Sequence, residues 1–170
     1  ADATIMTQAV DGTFSSSAIV GTATNKVTVT VAESTAGVTA RDMATTITDF
    51  NAGDVLDVVG LSLTADGGYY EGDASAMTTS VEYQVIVMTD TSHTSSTTAA
   101  DEIDARYTGT DTDSQLFVYL DSTKGHAVMA LDSNIHVDGA GTLNEIVEFT
   151  SLTNLTDLAA AFSADSFTLA

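Results

Sequence analysis

The sequence predicts a mainly β fold, a β-sandwich or jelly-roll-like domain with one or two short helices, and three observations carry that prediction. Apolar and polar residues alternate with a period of two along several short runs, the pattern of strands with one face buried. Asp, Asn and Gly fall between those runs, where chain reversal calls for side chains that bond to their own backbone or tolerate positive φ. Apolar residues recur at helical spacing in two places, each behind a capping residue, Thr98 and Asn154.

Taken in order, residues 4–7 and 17–20 are the first strand candidates. Residues 3–10 have no obvious hairpin partner, so this strand is expected to be free to add to the sheet of a neighbouring copy. In 26–31, Val27, Val29 and Val31 share one face and Thr28 and Thr30 the other. Residues 46–61 read as strand, Asn51-Ala52-Gly53-Asp54 turn, strand, and a stop at Gly60. The run 81–88 starts with alternation and becomes continuously apolar from Val85 to Met88, as a central strand does. The Ser/Thr-rich segment 89–98 reads as an exposed loop. Thr98, with Asp101 three residues later, starts a predicted helix near 99–107 that carries Ile103 and Tyr107.

Residues 115–120 and 126–131 flank Asp121-Ser122-Thr123-Lys124-Gly125, a hairpin with a polar turn ending in Gly. Residues 145–149 form another strand. Asn154, with Asp157 at the third position, caps a helix over 155–162 whose Leu155, Leu158, Ala159 and Phe162 make one stripe. Residues 167–169 close the chain as a strand. No linker divides it, so one β-rich domain over 1–170 is expected. A chain of this length buries roughly 70% of its unfolded surface, and 44% hydrophobic residues are enough to form a core.

Charge narrows the function. Asp and Glu total 24 against 4 Lys and Arg, a formal charge of −20. Such a surface repels nucleic acid and anionic membranes, so neither is an expected partner. No run of about 20 apolar residues is present for membrane insertion. A chain this acidic also repels itself, and high salt or divalent cations must offset that repulsion. Cysteine is absent, which excludes thiol chemistry and zinc–thiolate sites. Proline is absent as well. The opening Ala1-Asp2-Ala3 suits a processed N-terminus and equally a trimmed one. The composition, acidic, Thr-rich, Lys-poor and without cysteine, is of the kind seen in exported prokaryotic surface proteins.

Three acidic clusters are candidate metal sites. Asp49, Asp54 and Asp57 surround the turn in 46–61. Asp66, Glu71 and Asp73 lie in a Gly-rich stretch that brackets Tyr69 and Tyr70. Asp111 and Asp113 precede the strand at 115–120. Oxygen-only donors of this kind suit calcium. The run from Thr46 to Leu61, TITDFNAGDVLDVVGL, resembles the I-x-D-F-x-x-G-D-x-I-D-L-x-G-L segment that closes the calcium-binding β-rolls of RTX (repeats-in-toxin) proteins and of RTX-like bacterial surface-layer proteins. The tail from Glu145 through Asn154-Leu155-Thr156 to Phe167 is similar to the ending of those regions. The resemblance implies type I secretion, extracellular calcium and a β-rich fold. The glycine-rich nonapeptides of a β-roll are missing, so the segment is read as a cap-like piece within a sandwich.

No H-E-x-x-H, G-x-S-x-G or P-loop occurs, and His93, His126 and His136 read as scattered surface residues, so no enzyme is expected. The leading functional expectation is an extracellular structural protein that self-assembles into a surface layer, sheath or filament as a homopolymer with calcium-bridged contacts. The alternatives are an adhesin or carbohydrate-binding sandwich using Tyr69 and Tyr70, and a secretion or cap domain of a larger RTX protein.

Overall fold

The computed structural model describes residues 3–8, 14–19, 26–28, 44–61, 63, 65, 67–78, 81–107, 113–134 and 143–169. The mainly β fold predicted from alternation is the fold observed. Its strands are β1 (Ala3–Gln8), β2 (Phe14–Ile19), β3 (Lys26–Thr28), β4 (Thr45–Ile47), β5 (Val55–Asp57), β6 (Gly67–Gly72), β7 (Tyr83–His93), β8 (Gln115–Asp121), β9 (His126–Asp132), β10 (Leu143–Phe149) and β11 (Phe167–Thr168); helix α1 (Ser96–Asp104) follows β7 and α2 (Leu155–Ala161) follows β10. The principal sheet has six strands in the order β4-β10-β9-β8-β7-β6, a second sheet has the order β11-β5-β3, and β1 and β2 form a third.

The N-terminal strand is not unpartnered, as the sequence suggested. β1 pairs antiparallel with β2, from Ala3 opposite Ile19 to Gln8 opposite Phe14. The expected hairpin at 115–131 is present, with β8 and β9 antiparallel from Gln115 opposite Asp132 to Asp121 opposite His126. Asp121 holds its turn together. Its Oδ1 accepts from the N–H of Thr123 at 2.7 Å and of Lys124 at 2.8 Å. Gly125 closes the turn at φ 77°, where a side chain is disfavoured.

Parallel pairing could not be read from periodicity. β6 pairs parallel with β7, β7 with β8, and β4 with β10. Parallel neighbours need a crossover: α1 provides it between β7 and β8, and the 3-10 turn Ala74–Ala76 lies in the one between β6 and β7. α1 and the Ala74–Ala76 turn cover one face of the sheet and β5, β11 and α2 the other, and burial on both faces explains the continuously apolar run 85–88. Val85 and Val87, with Leu116, Val118 and Met129, face Leu56 of β5, Phe167 of β11 and Leu158 of α2. Ile86 and Met88, with Phe117, Tyr119 and Val128, face Ala99 and Ile103 of α1.

Two elements differ from expectation. The segment 67–72, read as a Gly-rich acidic loop, is strand β6 at the edge of the sheet. The expected loop 89–98 is instead the outer half of β7 and the start of α1, whose N-cap is Ser95 with Thr98 at N3 of a capping box. In 46–61 the expected strand, turn and strand are present as β4 and β5, which enter different sheets.

Edge strand β6 depends on glycine at one point. A Cβ on Gly67 would stand 2.5 Å from the Glu82 carbonyl oxygen and 2.9 Å from Val81 Cγ1, whereas one on Gly68 meets nothing within 4 Å. Gly67→Ala is expected to lower stability in urea by about 1–3 kcal/mol, with Gly68→Ala near wild type. Equal midpoints for the two variants would contradict this packing.

Candidate functional site

Among the described residues, the carboxylates that converge do so at the C-terminal ends of the parallel strands β6 and β7, against α1. Gly72 ends β6 at φ 140° and delivers Asp73. The Asp73 Oδ1 accepts from Ser75 N–H at 2.6 Å, and its carbonyl accepts from the Tyr70 hydroxyl at 2.7 Å. β7 contributes Asp90 from an irregular stretch. Five residue steps separate Val87 from Ser92, but only two separate their partners Val118 and Leu120 on β8, and such extra residues re-aim side chains at a sheet edge. α1 contributes Glu102. One carboxylate oxygen from each of Asp73, Asp90 and Glu102 lies within 4.8 Å of the others.

Three further groups frame this corner. The hydrogen bonds from Ser75 hold the Asp73 carboxyl below its usual range, with the Arg106 guanidinium acting in the same direction against partial desolvation. Burial pushes the Tyr70 phenol up, and the charge of Asp73 adds to that. His93, at the end of β7, is only 7% exposed, and its Nε2 lies 3.6 Å from Glu102 Oε2. His93 is therefore buried, not the surface residue its Ser/Thr neighbours suggested. Its ring packs edge-on against Tyr119, with centroids 6.2 Å apart. His126 is half-buried, and His136 lies outside the described residues.

The acidic residues singled out in the sequence have different fates. Asp54 Oδ2 accepts from Asn51 N–H at 2.9 Å, and Asp57 Oδ1 accepts from Val59 N–H at 3.3 Å. Asn51 Nδ2 donates to the Asp49 carbonyl. These are turn contacts, and the three are not among the residues that converge within 4.8 Å. Glu71 Oε2 accepts from the Tyr69 hydroxyl at 3.0 Å on β6. Asp113 is half-buried just before β8, and Asp66 and Asp111 lie outside the described residues. Asp73 is thus the sequence candidate that joins a cluster; Asp90 and Glu102 were not anticipated. The tyrosines proposed for sugar binding are half-buried, Tyr69 against Phe167 and Tyr70 against Tyr83.

A second charged group has its own cation. Lys124 Nζ lies 2.6 Å from Glu145 Oε2 and 2.5 Å from Glu148 Oε1, and Tyr119 donates to Glu145 Oε1 at 3.1 Å. Burial works to raise the Glu145 carboxyl, but hydrogen bonds from Lys124 and Ser96 outweigh it and keep it low. Burial likewise opposes the charge on Lys124, and the two carboxylates prevail, holding its pKa up. Here protein supplies the counter-charge. At the other corner the Arg106 guanidinium acts on Asp73.

Fold and site together define an acidic, mainly β protein whose mixed sheet gathers carboxylates at the C-terminal edge of its parallel strands. Comparison of the chain with protein-family models, with curated proteins and with solved structures finds no match.

Proposed function

We propose that this protein is an extracellular structural subunit that self-assembles into a surface layer, sheath or filament, with calcium shared between the carboxylates of adjacent copies. The single observation that carries the reading is the charge: 24 acidic residues against 4 basic ones in a folded chain of 170. Two such surfaces meet only if cations screen or bridge them, and carboxylate-rich surfaces suit a hard, oxygen-seeking ion. The resemblance of residues 46–61 to RTX-type closing segments, and a composition free of cysteine, support an extracellular setting. Catalysis has no part in this reading. The β1–β2 hairpin makes donation of a lone N-terminal strand unnecessary, so contacts between whole folded subunits are the simpler geometry.

Electron microscopy and light scattering of the purified chain test the proposal. Polymers are expected in millimolar calcium and dispersal on adding a chelator. Association that is indifferent to the chelator, or monomers at high concentration in calcium, would count against it.

A further inference from the structure

The principal sheet ends in an edge that its sequence does not protect. β6 is an outermost strand, six residues long and in parallel register with β7 without a shift. Sheet edges are normally blunted by shortness, lysine, proline or a bulge. The other strands that end the principal and second sheets, β4, β3 and β11, are two or three residues long. β6 is not short, and its GGYYEG has neither lysine nor proline. Gly67 N–H donates inward to the Glu82 carbonyl. Backbone groups of successive strand residues point to opposite sides, so Gly68 and Tyr70 turn theirs outward. Among the described residues no strand pairs with that side.

The β1–β2 hairpin has the complementary properties. It forms a sheet of two strands only, and such a hairpin is marginally stable on its own in water. Both strands are six residues long, as β6 is, and neither contains a charged residue. Residues 1–31 hold two of the chain's 24 acids, Asp2 and Asp11, against Lys26. In a chain of formal charge −20, this segment approaches another copy with little repulsion. Two β6 edges brought together would instead crowd two sets of Glu71 and Asp73.

We propose that the β1–β2 hairpin of one copy, kept intact, adds by main-chain hydrogen bonds to the β6 edge of the next and extends its six-stranded sheet. The inference rests on the reading of the protein as a self-assembling subunit, and it names the surfaces that meet. Those surfaces differ, so each added copy leaves one hairpin and one β6 edge free. Head-to-tail contacts of this kind grow open chains unless the rotation closes a ring. Strand addition gives the contact its direction, while cations relieve the repulsion between the acidic bodies.

Two sets of variants test this in millimolar calcium. Gly68→Pro removes an outward N–H, at a position where an edge strand tolerates proline. It should raise the concentration at which light scattering detects polymers by about tenfold or more. Gly68→Ala keeps the N–H and should polymerise like wild type, and near-UV circular dichroism reports folding in each. The chain has no cysteine, so single cysteines stepped through Ala3–Gln8 and Phe14–Ile19 can be mixed with Gly68→Cys chains under oxidising conditions. Disulfides between unlike chains are expected from one of the two strands, with yields alternating at a period of two. Val59→Cys, at an exposed position, is the control and should not link. This arm reads the contact even if Gly68→Pro unfolds. Folded Gly68→Pro that polymerises at the wild-type concentration would overturn the inference, as would the absence of alternating cross-links or Gly68→Cys chains that link chiefly to one another. Each of those results leaves calcium-dependent assembly standing, whereas a wild-type chain that forms no polymer would overturn both.

Discussion

In about 0.01 M monovalent salt with a chelator the chain is expected to be unfolded, and in about 1 M NaCl folded. The formal charge is −20. Folding gathers that charge from an unfolded coil of roughly 44 Å radius into a sphere of roughly 20 Å. With water's dielectric constant and Debye screening, the repulsion opposing folding is of the order of 17 kcal/mol at about 0.01 M salt and of the order of 4 kcal/mol at about 1 M. A native domain is held by only about 5–15 kcal/mol, so repulsion wins at the lower ionic strength. Proton uptake by the most crowded carboxylates reduces the first figure without reversing the order.

The near-UV signal of the 5 tyrosines, followed through a thermal melt, is the measurement. Millimolar calcium, which adds only about 3 mM of ionic strength per millimolar and so falls far short of about 1 M NaCl, should restore the signal that about 1 M NaCl restores. Equal melting temperatures in chelator at both ionic strengths would remove the basis for any requirement for cations, in folding or in assembly.

Phe50→Ala should be the most damaging single substitution on the α2 side of the sheet. Phe50 is 1% exposed. Its ring stacks on Phe162 with centroids 4.7 Å apart and tilts against Phe149 at 5.0 Å, and Phe162 in turn stacks on Phe167 at 5.6 Å. These four rings join the loop after β4 to β10, the end of α2 and β11, so one truncation opens a cavity where several segments meet. Removing such a ring costs about 3–5 kcal/mol, or about 6–20 °C in melting temperature for a chain of this size. Val59→Ala, at a side chain 44% exposed, is the control and should stay within about 0.5 kcal/mol of wild type. Both belong in high salt, where the fold has stability to lose.

Several elements were legible because the interactions that specify them are close in sequence. Asn154 accepts from Asp157 N–H at 2.9 Å, three residues away, and the helix starts where that cap predicts. β8 and β9 sit on either side of a turn that Asp121 and Gly125 build locally. β6 was missed because Gly67, Gly68 and Gly72 read as loop, yet an edge strand needs ladder bonds on one side only. The start of α1 was placed late because Ser95 and Thr98 are both capping residues, and their reciprocal bonds put Ser95 at the cap.

The candidate site was much less legible. Asp73 stood out beside glycine, but its partners Asp90 and Glu102 are separated from it by 17 and 29 positions. With 24 acids in the chain, no spacing rule singles out those two. His93 looked like a surface residue because its neighbours are Ser and Thr; the burial comes from α1 and Tyr119 closing over the end of β7.

By itself, then, the sequence determined the excess of negative charge, the class of fold and the elements specified by near neighbours, since net charge, alternation, caps and tight turns are local properties. Tertiary structure alone decided which strands run parallel, which strand became the edge, and which carboxylates meet where β6 and β7 end against α1. Those outcomes depend on crossovers that return the chain across the sheet, and the packing energy that selects a crossover is summed over residues far apart in sequence.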